Sequence, residues 1–151
     1  MSNLPDPGTL ATLVSNVTQT MCGISFGVAE PNQKAVACWR MAVLNVTGGS
    51  PWQVALFSDR DGCTALGAAL FQCPPDSLDN SMLEDSLCEL LNMAAGQIKS
   101  LLAADSALGL PKITSPGELT AKSQTAMREG VLLRSQEAVN LMILVSEGLD
   151  Q

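Results

Sequence analysis

Four polar residues and one glycine recur at helical spacing in the middle of the chain. They follow one another at steps of four, three, four and three residues, which places them on one face of a helix: Asp85, Glu89, Asn92, Gly96 and Lys99. Most such faces are simply solvated, but Asn92 and Gly96 both lower helix stability relative to alanine, by up to about 1 kcal/mol for glycine. A carboxamide beside a carboxylate, with a glycine that leaves room for a partner, is what a binding surface requires. We therefore interpret this face as a binding surface.

Several other kinds of chemistry are excluded or disfavoured by composition. The chain contains no histidine, so Cys/His zinc sites, Ser-His-Asp triads and Cys-His dyads cannot form. An acidic series lacks the spacing of a calcium loop and is better explained by turns and helix starts: Asp76, Asp79, Glu84 and Asp85. We expect no metal and no cofactor bound by this chain. The five cysteines are odd in number and lie in apolar segments without a CxxC pair, which predicts free, packed thiols.

Length and charge point to one globular domain. The chain has 151 residues, of which 46% are hydrophobic and 15% charged, and we predict that residues 1–151 form a single domain. A net charge of −7 disfavours nucleic acid as a partner. No apolar stretch is long enough to span a membrane. The N-terminus carries no basic residue before Lys34, so we expect a cytoplasmic protein without a signal peptide.

Capping signals place the polar stripe on a long helix. Ser81-Met-Leu-Glu84 is a capping box, which predicts a helix from near Met82 to about Leu108. Gly109 would cap its end, with Pro111 just beyond. On the face opposite the stripe, the apolar residues of this helix would pack on a sheet.

The remaining elements predict an antiparallel sheet built from hairpins. A first helix ends at Gly23, and a second opens at a capping box, Ser58 to Asp61. A hairpin over 38–57 turns at Thr47-Gly-Gly-Ser50, a second closes the chain over 131–145, and Ile113 belongs to another strand. Because helices and hairpins alternate without a βαβ rhythm, we predict an α/β protein of the α+β type with helices packed on that sheet.

The stripe also resembles a known family motif. Glu89-Leu-Leu-Asn92-Met93-Ala-Ala-Gly96, preceded by Asp85, is similar to the (Asp/Ser)-x-x-x-Glu-x-x-Asn helix of the CheC/CheX/FliY family of chemotaxis phosphatases. The Asn-Met-x-x-Gly continuation most resembles CheX. The family pattern includes a later proline, and here 23 residues separate Asn92 from Pro116, one more than in that pattern. The flanking elements follow CheX-like order, so the resemblance covers most of the chain.

The resemblance implies an activity and a role for each residue. It implies a CheC-like fold and a phosphatase that hydrolyses the aspartyl phosphate of a CheY-type response regulator, with Mg²⁺ held by the regulator. Asn92 would position the attacking water, and Glu89 would dock onto the regulator's phosphate-site lysine. The other partner-binding residues would be Asp85, Met93, Gly96 and Pro116, with Gly96 permitting close approach and Pro116 shaping the adjacent wall.

The resemblance is to single-site members. The first helix offers Asn16 and Gln19 but no carboxylate, so a second Glu-x-x-Asn motif is missing. The resemblance also implies a homodimer that pairs through edge strands. The alternative to a phosphatase is a non-catalytic domain of the same fold that binds a signalling or flagellar-motor protein through the same helix.

Overall fold

The computed structural model describes residues 5–29, 37–48, 51–102, 106–119 and 130–147. Within them, three helices pack on one face of a seven-stranded antiparallel sheet, as the sequence predicts. The strand order is β1-β6-β7-β3-β2, and both β4 and β5 pair with the outer side of β2. The elements are α1 (Pro7–Cys22), β1 (Phe26–Val28), β2 (Arg40–Gly48), β3 (Trp52–Ser58), α2 (Arg60–Phe71), α3 (Asn80–Leu102), β4 (Ser106–Leu108), β5 (Lys112–Thr114), β6 (Val131–Ser135) and β7 (Asn140–Glu147), with short 3-10 helices at Pro75–Ser77 and Pro116–Glu118.

Aspartates begin all three helices. Each carboxylate accepts a hydrogen bond from the amide N–H three residues later, at 2.7 to 2.9 Å, and so satisfies an amide that has no partner within the helix. These caps are Asp6, Asp59 and Asp79. The prediction that Ser58 caps α2 and Ser81 caps α3 is wrong, because Ser58 lies in β3 and Ser81 lies inside α3. Gly23 ends α1 in the left-handed conformation (φ 71°), as predicted.

The predicted end of the long helix is wrong. Residues 106–108, expected in its last turns, form β4 and pair with residues 46–48 of β2. The unpaired outer side of β2 offers backbone hydrogen bonds there, and pairing with it replaces the helical bonds. Gly109 caps no helix: its N–H donates to the carbonyl oxygen of Asn45 at 2.8 Å.

Both predicted hairpins and the predicted strand at Ile113 are present. β2 pairs with β3 from Arg40↔Ser58 to Val46↔Trp52, and β6 pairs with β7. Of the predicted turn Thr47-Gly-Gly-Ser50, residues 49–50 lie outside the described residues. Ile113 lies in β5. Two strands of three residues, β1 and β4, were not predicted, since each is too short to show an alternating pattern.

The core explains why α3 is held in place. Its predicted buried face is confirmed, with Leu87, Leu91, Ala94 and Ile98 each at most 1% exposed against the sheet. Leucine and valine side chains of β2 and β3 fill the facing layer, and burial of such apolar surface is the dominant favourable term in folding. A smaller apolar cluster lies on the other side of the sheet: Met41, Ala55, Phe57 and Met142.

The five cysteines are free, as predicted. Cys63 is buried and the other four are partly buried. No helix in the described ranges has the length and hydropathy needed to cross a membrane.

Candidate functional site

Three of the predicted site residues lie together on the outer face of α3. Asp85, Glu89 and Asn92 are all exposed, at successive turns of a helix whose opposite side is buried. Because three or four residues make one turn, the Glu89 carboxylate and the Asn92 carboxamide are neighbours on the helix surface. An ion pair between Arg40 and Glu84, at 3.2 Å, links the first half of α3 to the start of β2.

This face of α3 forms one wall of a groove of about 750 Å³. The C-terminal ends of α1 and α2 and the chain between β4 and β5 supply the other walls. The lining residues are Met21, Leu70, Phe71, Asp85, Cys88, Glu89, Asn92, Leu110 and Pro111. The polar groups therefore come from α3, and the surrounding walls are mainly apolar.

A β-bulge builds the wall that faces this part of α3. Between β4 and β5, residues 109–111 stand opposite only residues 44–45 of β2, so the edge strand carries one extra residue there. The bulge is fixed by the hydrogen bond from Gly109 to Asn45, and a Cβ atom at Gly109 would lie 2.8 Å from that carbonyl oxygen. Leu110, at its centre, is 83% exposed.

Cys88 contributes a thiol to the groove that is poorly suited to act as a nucleophile. Burial raises the pKa of this thiol, and the carboxylates of Asp85 and Glu84 raise it further. A raised pKa lowers the fraction of reactive thiolate at neutral pH. The groups available for chemistry on this wall are therefore two carboxylates and one carboxamide, which can bind a cationic group and orient a small polar molecule.

The other predicted site residues do not line the groove. Met93 is half-buried and packs against the core, and Gly96 follows one turn beyond Asn92 without lining the groove. Pro116 begins a 3-10 helix after β5 and is also absent from the lining. Pro111 is the proline that lines the groove beside Asn92. Sequence reasoning missed this wall because Gly109 and Pro111 were interpreted as the signals that end a helix.

Residues 40–133 match the family model of the chemotaxis phosphatase CheX. The chain belongs to the CheX family. The matched region includes α3 and the bulge, and so most of the groove. Known structures share the fold of this CheX-family chain at low sequence identity. No curated protein sequence matches it.

Three solved structures illustrate the CheX-type fold. CheX from Vibrio vulnificus has 16% identity and a TM-score of 0.71, over 98% of this chain and 100% of that one. A putative chemotaxis protein from Desulfovibrio vulgaris Hildenborough has 17% identity and a TM-score of 0.69, over 92% and 94%. The CheX of a CheX–CheY–BeF3–Mg²⁺ complex from Borrelia burgdorferi has 15% identity and a TM-score of 0.67, over 93% and 96%.

Proposed function

We propose that this protein hydrolyses the aspartyl phosphate of a CheY-type response regulator that binds over the groove beside α3. The observation that carries the proposal is the exposed pair formed by Glu89 and Asn92 on the groove wall of a CheX-family chain. The Borrelia burgdorferi structure, in which CheX is present with CheY, BeF3 and Mg²⁺, supports a regulator of this class as the partner.

The proposed chemistry asks little of the phosphatase itself. An acyl phosphate is already activated, so the added contribution is to hold one water molecule in line with the phosphorus. The Asn92 carboxamide would hydrogen-bond to that water. The Glu89 carboxylate would accept a charge-assisted hydrogen bond from the regulator's lysine and so fix the orientation of the two proteins.

Mg²⁺ belongs to the regulator in this proposal. Among the described residues of this chain, no three acidic or cysteine side chains are grouped to hold a metal ion. When bound on the regulator, Mg²⁺ would neutralise charge on the phosphoryl oxygens. The contribution of this chain is then limited to the two side chains on α3 and the groove around them.

Replacing Asn92 separates chemistry from binding. Asn92→Ala should keep the fold and bind a regulator carrying a stable phosphate mimic, yet lower the maximal rate of dephosphorylation by about a hundredfold, because misplacing a reacting group costs that much. Gln97→Ala is the matched control, since Gln97 is exposed on α3 but lies outside the groove lining. Undiminished turnover by Asn92→Ala would contradict the proposal. Wild-type protein that binds without accelerating decay would indicate the non-catalytic interaction domain instead.

Replacing Glu89 tests docking. Glu89→Ala should weaken association as well as turnover, and Glu89→Lys should weaken it more through repulsion of the regulator's lysine. Asp76→Lys makes the same charge change at an exposed residue outside the groove lining. Equal effects of the two lysine variants on the association constant would mean that only net charge matters, and would exclude a specific contact at Glu89.

We also propose that this protein lies in the cytoplasm, where its regulator would be found. We further propose that it forms a homodimer. Among the strands of the described residues, the outermost are β1 on one side and β4 with β5 on the other. At β1, the Ser15 hydroxyl hydrogen-bonds to both the N–H and the carbonyl oxygen of Phe26, so that part of the edge is already occupied. On the other side the bulge at Leu110 interrupts the edge, so pairing would use β4, which lies outside the groove lining and leaves Leu110 to the regulator. Light scattering that gives a monomer mass at micromolar concentration would contradict the dimer.

A further inference from the structure

Leu110 has the largest exposed fraction among the large apolar side chains of the described residues. It is 83% exposed, compared with 51% for Leu101, 50% for Val28 and 43% for Phe71. Exposed apolar surface is unfavourable in water, and burying it against a partner releases that free energy. A single exposed leucine is common on protein surfaces. Whether Leu110 contacts a partner therefore has to be inferred from its position in the fold.

The backbone holds Leu110 outward. It lies at the centre of the three-residue bulge, between two segments paired to β2, and the Gly109 N–H bond to Asn45 fixes the residue before it. Pro111 follows, and the proline ring restricts its own φ angle and the conformation of Leu110. The exposure of Leu110 is therefore a property of a constrained bulge rather than of a long free loop.

Of the four large apolar side chains that are exposed in the described part of the chain, two line one groove. Leu110 and Phe71 lie in the groove that contains Asp85, Glu89 and Asn92, whereas Val28 and Leu101 do not. The groove thus presents carboxylates together with apolar side chains from two separate elements. Its complement is a surface on which a basic side chain lies next to apolar residues.

We propose that Leu110, supported by Phe71, is the main affinity and specificity contact to the receiver domain of the regulator. This inference rests on the proposed function. The Glu89 carboxylate would bind a basic side chain of the receiver domain. Leu110 would be buried against apolar residues of the receiver domain beside that basic side chain. The receiver domain is the occupant that the groove favours, because one partner would satisfy both the acidic and the apolar groups of a continuous surface. Leu110 would act on binding, and Asn92 on the chemical step.

The test compares Leu110→Ser with Leu101→Ser. Leu101 is the matched control, because it is an exposed leucine on α3 outside the groove lining. Leu110→Ser should weaken binding of a regulator carrying a stable phosphate mimic by about ten- to a hundredfold, the range expected for losing a buried leucine contact. It should raise KM for dephosphorylation by a similar factor and leave kcat unchanged, while Leu101→Ser should match the wild type. Phe71→Ser should give a smaller loss of binding than Leu110→Ser.

The outcomes separate this inference from the proposed function. Binding by Leu110→Ser within twofold of Leu101→Ser would overturn the inference, even if the wild type is an active phosphatase. A wild type that binds the regulator but does not accelerate decay would remove the phosphatase, and a loss of binding in Leu110→Ser would still support the contact. A wild type that does not bind the regulator would overturn both. A dimer that dissociates in Leu110→Ser with regulator binding unchanged would make a second copy the occupant, which also overturns the inference.

Discussion

Gly96→Ala should raise the stability of this protein and also weaken its binding to the regulator. Gly96 lies in α3, one turn beyond Asn92, and a Cβ atom built there meets no heavy atom within 4 Å. The methyl group therefore enters open space. Glycine inside a helix is less stable than alanine by about 0.5 to 1 kcal/mol, so the free energy of unfolding should rise by that amount. For a chain of this length, Tm should rise by about 1 to 4 °C.

The same methyl group would stand where a partner lying over α3 has to approach. If Gly96 leaves that room, Gly96→Ala should bind the regulator several-fold more weakly despite its higher Tm. We would measure thermal unfolding by circular dichroism and binding by calorimetry on the same preparations. Gly62→Ala, in α2, is the control for the sign of the stability change, because its Cβ would lie 2.8 Å from the backbone carbonyl oxygen of Asn140 and Tm should fall.

Two results would refute this reasoning. A lower Tm for Gly96→Ala would mean that the space above α3 at this position is not open. A higher Tm with unchanged binding would mean that the regulator does not lie over Gly96, and the partner surface would then end at Asn92.

Three further changes test the fold and its ionisable groups. Gly62→Ala should lower the free energy of unfolding by about 1 to 3 kcal/mol in urea titrations, since its Cβ would lie 2.8 Å from the carbonyl oxygen of Asn140. Burial raises the pKa of the Cys63 thiol from 9.0 to about 12, so this thiol ionises at a lower pH in the unfolded chain than in the folded one. The free energy of unfolding should therefore fall as the pH rises between these values, and it should fall less in Cys63→Ala. An identical pH profile in that variant would contradict this. Arg40→Gln breaks the partly exposed pair with Glu84 and should lower the free energy of unfolding by less than about 1 kcal/mol in the same urea titrations.

What could be predicted from sequence depended on how local the signal is. The two faces of α3 follow from a period of 3.6 residues within one segment, and both the buried Leu91 and the exposed Asn92 are where that period places them. The hairpins could be predicted because each strand is close in sequence to its partner. The wall of the groove that carries Glu89 and Asn92 could be predicted for the same reason, because both residues lie in one helical segment.

The apolar wall could not be predicted in this way. Leu110 and Pro111 face α3 only because β4 and β5 pair with the outer side of β2, whose paired residues lie 58 to 73 positions earlier in the chain. Nothing in the local sequence indicates that register, and Gly109 next to Pro111 is equally typical of a helix end. The prediction followed this local signal, whereas pairing with the outer edge of β2 determines the structure of this segment.

The separate origins of the two walls have a consequence for how proteins of this architecture could change partners. The carboxylate and carboxamide of α3 are spaced by the helix itself, so their relative position survives changes elsewhere in the groove. The bulge is an edge feature whose central side chain, at residue 110, carries little of the core, since it is 83% exposed. Substitutions there can therefore be made at small cost in folding stability. A library varied only at residues 110 and 71 should yield proteins that keep the same reaction but differ in the regulator they accept.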